Sequence, residues 1–324
     1  MKLAHMVVVT PRGCGLYETT RDLVMALRAQ GIDSRLVDPL YADNIHHPRT
    51  PEDRGVPLER SMEFARGADF LINHSGLGEA RDFDVPIIQV AHGRPVSSFK
   101  LEETGKQPIY RYYYEQDKID RVKALVTFWE EHVPYWSVLF ANTPVRCVPS
   151  MVNSDEWSME GNASYNFKGN RGKINVVLTD PCRLDLDPYE ALNAYALWAR
   201  TQDGAKLHIY GQQYNGEKAW TTLLRAINDD GNLGEMAGWV RSGLDNLYRA
   251  ASFVLTCNPI HTRTMREAMA CGCPVAVVRD IKRDQHKLTA ALFRDRVKIR
   301  KAAEVMFNPE RSAKAFIDVL DEAA

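Results

Sequence analysis

The chain of 324 residues lacks an excess of either charge: 41 Lys+Arg stand against 42 Asp+Glu, a formal net charge of -1. A balance this even excludes a protein that binds nucleic acid over most of its surface and leaves room only for a local basic patch. Cysteine is scarce, and no spacing among Cys14, Cys147, Cys182, Cys257, Cys271 and Cys273 matches a zinc knuckle. These read as reduced, mostly buried thiols, and no metal is assigned. No uncharged stretch reaches the roughly 18 apolar residues of a spanning helix, Ala268 to Val278 being a long example that falls short. The apolar run near the N-terminus ends at Thr10-Pro11-Arg12, too early for a secretory h-region. A buried first strand and a cytoplasmic location are therefore expected. Low-complexity tracts and fixed short repeats are also missing.

What is present is ordinary globular material, with 45% hydrophobic and 26% charged residues in a length suited to two domains. Strand and helix patterns alternate twice. His5 to Thr10 reads as a β-branched strand, the repeat of Leu23, Val24 and Leu27 as a helical face, and Gln30-Gly31 as its stop. Further strands are expected at Ser34 to Val37, Asp69 to Asn73, Val85 to Ala91, Ala124 to Thr127 and Arg146 to Val148. A polar segment follows, and the alternation restarts at Ile174 to Leu178. It continues through a helix at Tyr189 to Arg200, a strand at Lys206 to Ile209 and a helix around Trp220 to Ile227. A strand near Trp239-Val240, a helix at Leu244 to Ala251, a strand at Phe253 to Thr256, a helix around Met265 to Ala270 and a strand at Pro274 to Val278 close the second half. Such βαβ alternation predicts parallel sheets covered on both faces, an α/β architecture of two doubly wound, Rossmann-like domains. The expected divisions are residues 1–152, a linker at 153–170, residues 171–300, and C-terminal helices at 301–324 that pack back on the first domain.

Two motifs stand where ligands bind such folds, at carboxyl ends of strands. Pro11-Arg12-Gly13-Cys14-Gly15 lies between the first strand and first helix, where glycines admit close backbone approach and the helix N-terminus favours an anion. Glu18 occupies the place of the third glycine of G-x-G-x-x-G, which counts against a dinucleotide enzyme. A plain tight turn explains the same residues. Glu267-Ala-Met-Ala-Cys-Gly-Cys-Pro-Val275 puts a carboxylate at the opening of a short helix. Such a group either accepts sugar hydroxyls or simply stabilises a first helical turn.

The Glu267 segment resembles the hallmark of retaining GT-B glycosyltransferases of the family 4 type, and other segments match that family in the same order. They are Gly13-Cys14-Gly15 with Arg21 to Gly31, Val90-Ala-His92-Gly93, Val148 to Asn153, Lys206 to Gly211, Gly238-Trp-Val240 with Leu247 to Ala251, and Arg300 to Ala313. The resemblance spans almost the whole chain. It implies two Rossmann-like domains facing a central cleft, an N-terminal one for the acceptor and a C-terminal one for a nucleotide-sugar donor. The implied activity is transfer of a sugar from a nucleotide diphosphate to an acceptor hydroxyl with retained configuration, with no metal and no cofactor beyond the donor.

By this resemblance Glu267 holds the donor ribose hydroxyls, Arg183 pairs with the diphosphate, and His92 lies by the transferred sugar or acceptor hydroxyl. Gly13, Cys14, Gly15 and Gly211 line the donor, and Val240 and Arg241 lie beside the base. A strand-end histidine satisfied by backbone remains the other reading of His92. The sequence also departs from the pattern. Pro259 stands where the family has a second Glu eight positions before Glu267, so His261, Thr262, Arg263 and Thr264 become the donor-loop candidates. Pro188 stands at the usual diphosphate lysine, with Lys218 or Arg263 as substitutes, and the loop after Val278 is short, marking a compact or divergent member.

Residues 279–301 hold nine Lys/Arg and three Asp, which suits a solvated face or a weak contact with an anionic surface. Tyr110-Arg-Tyr-Tyr-Tyr114 suits either stacking on a sugar or base, or ordinary packing. The acceptor is left open among a saccharide, a small molecule and modified bases in DNA. A GT-B shell that binds nucleotide sugars without turnover is the competing class.

Overall fold

The computed structural model describes residues 1–7, 15–38, 56–59, 62–74, 83–93, 117, 119–167, 173–180, 189–210, 226, 234–238, 240 and 243–324. The chain divides into two units, Met1–Met151 with Met306–Ala324, and Val152–Val305.

In the first unit, β1 (Lys2–Met6) is central, and α1 (Gly15–Ala29) returns the chain to β2 (Asp33–Val37). The short β3 (Leu58–Glu59) and α2 (Glu63–Arg66) precede β4 (Phe70–Asn73), β5 (Ile87–Ala91) and β6 (Val122–Thr127). A 3-10 turn at Glu130–His132 leads into α3 (Val133–Leu139) and β7 (Val145–Cys147). All pairings are parallel, in the order β3-β2-β1-β4-β5-β6-β7. Side chains alternate between two cores, as the period of two requires. Leu3, Ile72 and Val126 join Leu23 and Leu27 of α1, whereas Ala4, Leu71 and Leu125 join Trp136 of α3. Both faces are therefore buried, which is why these strands read as continuous apolar runs.

The second unit runs β8 (Asn175–Leu178), α4 (Tyr189–Ala199), β9 (Lys206–Tyr210), β10 (Gly234–Gly238), α5 (Leu244–Ala250), β11 (Phe253–Thr256), α6 (Arg263–Ala270), β12 (Val275–Val277), α7 (Ile281–Asp284), α8 (His286–Leu292) and α9 (Arg296–Met306). Its five strands are also parallel, in the order β10-β9-β8-β11-β12. The strand expected near Trp239-Val240 lies instead at Gly234–Gly238, just before it. Gly-Glu-Met-Ala-Gly has little strand propensity, and the element is made by pairing with β9, with a register shift between Met236 and Gly238. Apart from Ala226, the helix expected around Trp220 to Ile227 lies outside the described residues.

The polar segment after Asn153 is anchored by aromatics: Trp157 packs 6.1 Å from Tyr248, and Phe167 4.5 Å from His208, between ring centroids. The last helix, α10 (Pro309–Ala323), belongs to the first unit, where Phe316 and Leu320 are fully buried in the core shared with α1. Asn308 caps it by accepting from Arg311 N–H at 3.0 Å, and Pro309 suits its first turn.

The turn from α6 to β12 depends on Gly272. Its φ of +69° is the left-handed conformation that ends helices, and an added Cβ would lie 2.8 Å from the Met159 side chain. We predict that Gly272→Ala destabilises the second unit by more than about 1 kcal/mol in urea unfolding. Adding Met159→Ala should restore only part, because the backbone strain persists. Full restoration would assign the whole cost to crowding.

Candidate functional site

In both sheets the strand order reverses beside the first strand of the unit, between β1 and β4 and between β8 and β11. Connections diverge to opposite faces at such a switch point and leave a crevice at the carboxyl ends. Each of the two switch points carries a polar cluster.

In the second unit the cluster is built on Asp180, two residues beyond β8 and buried. The Thr256 hydroxyl at the end of β11 donates to its carboxylate, and the Thr264 and Thr262 hydroxyls donate to Oδ1 at 2.6 and 3.4 Å. Thr256 Oγ1 in turn accepts from Asn258 N–H at 3.0 Å. Thr262 is also the N-cap of α6, its hydroxyl accepting from Met265 N–H. One carboxylate thus ties the end of β8 to the end of β11 and to the first turn of α6. Charge-assisted hydrogen bonds and the helix dipole both favour that placement.

Glu267 does not open this helix, as the sequence suggested, but is its fifth residue, 4% exposed. Its Oε1 accepts from Arg263 Nε at 2.5 Å, and both side chains are buried. A cation in the first turn with its acid four residues later opposes the helix dipole at both ends. Helix stability therefore does not explain the pair, and such local conflict is characteristic of a functional position. Burial, and then the Glu267 charge, push the Tyr248 phenol well above its ordinary pKa; its hydroxyl meets Thr179 Oγ1 at 3.2 Å.

The structure thus gathers Thr262, Arg263, Thr264 and Glu267, with the half-buried His261 in the preceding loop beside Pro259. Thr262 and Arg263 are engaged by Asp180 and Glu267 respectively. Val240 is half-buried just after β10, and Gly15 is the exposed first residue of α1. Gly13, Cys14, Arg183, Gly211 and Arg241 lie outside the described residues, as do Pro188, Lys218 and the Tyr110 to Tyr114 run. Asp180 and Thr256 escaped the sequence reading; the available signal was an acidic residue immediately beyond a buried strand.

The first unit's cluster is a chain of three histidines at the ends of β1, β4 and β5. His5 Nδ1 lies 3.0 Å from His74 Nε2, and His74 Nδ1 lies 2.8 Å from His92 Nε2. His5 and His74 are buried, and His92 is half-buried against the Phe128 ring, 5.3 Å away. Burial lowers the pKa of His5 to about 3, and burial followed by the charges of His92 and His5 lowers that of His74 well below the ordinary value. Only His92 was singled out in the sequence.

Much of the basic stretch is structural. Arg296 donates to the Tyr248, Arg249 and Ala251 carbonyls at the end of α5, and Arg300 to those of Ser154, Trp157 and Ala270. Arg294 bonds the Val275 carbonyl, and Arg283 and Lys287 flank Asp284. Cys257, Cys271 and Cys273 are buried free thiols, the last two with pKa pushed up to about 12 by burial. Among the described residues no group of His, Cys, Asp and Glu could hold a metal ion, and no helix is long and apolar enough to cross a membrane.

No protein-family model and no curated protein matches the chain. Solved structures do. HepE (Alr3699) from Anabaena, in complex with UDP and glucose, is 13% identical with a TM-score of 0.69, covering 99% of each chain. Sucrose-phosphate synthase from Thermosynechococcus elongatus is 15% identical with a TM-score of 0.71, covering 99% of this chain and 98% of its own. A glycosyltransferase from Rickettsia africae is 9% identical with a TM-score of 0.65, covering 99% and 98%. At these identities the likeness shows the fold, which is GT-B.

The histidine chain makes stability depend on pH. His5 stays neutral in the folded chain down to about pH 3, whereas the unfolded chain takes up a proton below about pH 6.5. More protons on the unfolded state mean that stability falls as pH drops through this window, and His74 acts in the same direction. Between pH 6 and 4 the His5→Phe variant should lose about 1.4 kcal/mol less per pH unit than the parent chain. Equal slopes in urea unfolding would show that His5 titrates normally.

Proposed function

We propose that the chain is a glycosyltransferase that moves a sugar from a nucleotide-diphosphate donor to an acceptor hydroxyl, without metal and with retained configuration. The observation that carries this reading is the buried Glu267, fixed by Arg263 beside the switch point of the second sheet. A carboxylate held there accepts two ribose hydroxyls without reorganising, and its desolvation is already compensated by the guanidinium. HepE, its structural neighbour, is described with UDP and glucose, which supports a donor of this class.

Arg183, three residues beyond Asp180, is the group for the diphosphate, its planar fork matching two phosphate oxygens. As the bond from the anomeric carbon to the diphosphate oxygen breaks, negative charge grows on that oxygen. A fixed guanidinium and backbone N–H groups then stabilise the transition state more than the bound donor. No enzymic nucleophile is required: the acceptor oxygen forms the new bond, and its proton passes to the departing diphosphate. His92 is the side chain offered to the transferred sugar or acceptor hydroxyl. Buried free thiols fit action in a reducing compartment such as the cytoplasm.

Pro259 and Pro188 favour a second reading, a shell that binds nucleotide sugars without turnover. Modified bases in DNA fall behind as acceptors, because Arg294, Arg296 and Arg300 are engaged with carbonyls. A weak anionic contact would fall to the exposed Arg279, Lys282, Lys298 and Lys301.

A thermal-shift panel of UDP-, GDP-, ADP-, CMP- and dTDP-sugars should identify one stabilising nucleotide. Calorimetry with that donor should show binding weakened about 10- to 100-fold in Arg183→Ala and Glu267→Gln, the loss expected for a charged hydrogen bond. Affinities like the parent's in both variants would remove the site. Sugar transfer or donor hydrolysis supports the enzyme, and stabilisation with neither supports the binding shell.

A further inference from the structure

The corner between α8 and α9 carries two features that its packing does not use. The first is apolar. Phe293, the residue that ends α8, is 81% exposed, and Val297 and Val305 on α9 are 52% and 70% exposed. Single apolar residues scattered over a surface are ordinary, but these are grouped. Val297, Lys301 and Val305 recur four positions apart and so share one helix face, with the exposed Lys298 and Ala302 beside them. Phe293 stands just before that face, whereas Ala303 is buried on the other side of the helix.

The second feature is charge. Arg294, Arg296, Lys298, Arg300 and Lys301 are five cations within eight residues, with Asp295 as the one acid among them. Asp295 caps α9, accepting from the N–H groups of Val297 and Lys298 at 2.9 and 3.3 Å. Cations in a first turn oppose the helix dipole, so helix stability does not explain this composition. The three arginines are engaged with carbonyls, whereas the ammonium groups of Lys298 and Lys301 are exposed and have no partner among the described residues. Arg294 bonds the carbonyl of Val275, where β12 begins, and Arg296 that of Ala251, just before β11. The corner therefore lies at the amino edge of the second sheet, and Thr256 and Asp180 at the carboxyl edge.

We propose that this corner is a docking surface for an anionic lipid bilayer. The helix α9, about 16 Å long, lies flat in the headgroup layer. Phe293, Val297 and Val305 enter the apolar boundary, and Lys298 and Lys301 lay their stems along it while their ammonium groups reach the lipid phosphates. A second copy of the chain would set these lysines against their own kind, and a nucleic-acid backbone would meet the lysines but leave the apolar side chains in water. Docking at the amino edge leaves the carboxyl edge open to ligand. The surface rests on the corner alone and not on the glycosyltransferase reading.

Co-sedimentation of the full chain with vesicles tests this at low ionic strength, where exposed charges are least screened. The chain should pellet with equimolar phosphatidylglycerol–phosphatidylcholine vesicles and stay in solution with phosphatidylcholine alone. No pelleting with either, or equal pelleting with both, would overturn the proposal. Lys298→Glu with Lys301→Glu should weaken binding more than about tenfold, and Phe293→Ser about tenfold. Parent-like binding by Phe293→Ser would remove the apolar insertion on which the bilayer assignment depends. Lys123→Glu with Lys314→Glu makes the same charge change at exposed sites of the first unit and should bind as the parent does. An equal loss there would reduce the attraction to net charge and overturn the surface. Duplex DNA binding that is lost in the Lys298–Lys301 variant and kept in Phe293→Ser would assign the cations to nucleic acid instead. Every replaced side chain is exposed, so the variants should keep the parent's unfolding midpoint. No donor or acceptor enters the assay, so its result stands if the proposed activity fails.

Discussion

The convergence of three threonine hydroxyls on the Asp180 carboxylate sets the geometry of the second unit's carboxyl edge. Parallel order places β8 beside β11, and their connections depart to different faces, so the backbone cannot close the gap between them. A buried carboxylate closes it instead, drawing the end of β11 and the first turn of α6 to the end of β8. Once α6 is fixed at its N-terminus, its second turn is fixed as well. Glu267 is then held against Arg263 in a place where neither residue helps the helix. The left-handed turn at Gly272, which leads into β12, belongs to the same arrangement because it sets where α6 must stop.

The two units apply one topological rule with different chemistry. The switch point of the second unit carries carboxylates and hydroxyls, and that of the first carries imidazoles and the neighbouring amide pair Asn73–Gln89, bonded at 2.9 Å. Carboxylates with a guanidinium suit ribose hydroxyls and phosphate. Neutral imidazoles suit oxygens whose charge changes little before reaction.

The strands were legible in the sequence because their burial on both faces makes them unbroken apolar runs, as at Phe253–Thr256, whose bounds agree with the pattern. β10 was not, because glycine and alanine contribute little to a strand that exists through its neighbour. Glu267 was found through a resemblance, although its partner lies only four residues away. Asp180 was missed because its hydroxyl partners are 76 to 84 positions distant, and only the fold brings them together. His5 and His74 were missed for the same reason: a histidine within an apolar strand gives no local sign of its neighbours. Local period and composition report burial, whereas a site assembled at a switch point depends on strand order.

The central claim is that a nucleotide diphosphate is held at the edge governed by Asp180 and Glu267. Amide hydrogen exchange of the full chain, with and without saturating UDP, tests it most directly. The account predicts slowed exchange concentrated in residues 256–267, from the end of β11 through Glu267. Exchange unchanged there, or slowed only in the first unit, would contradict it.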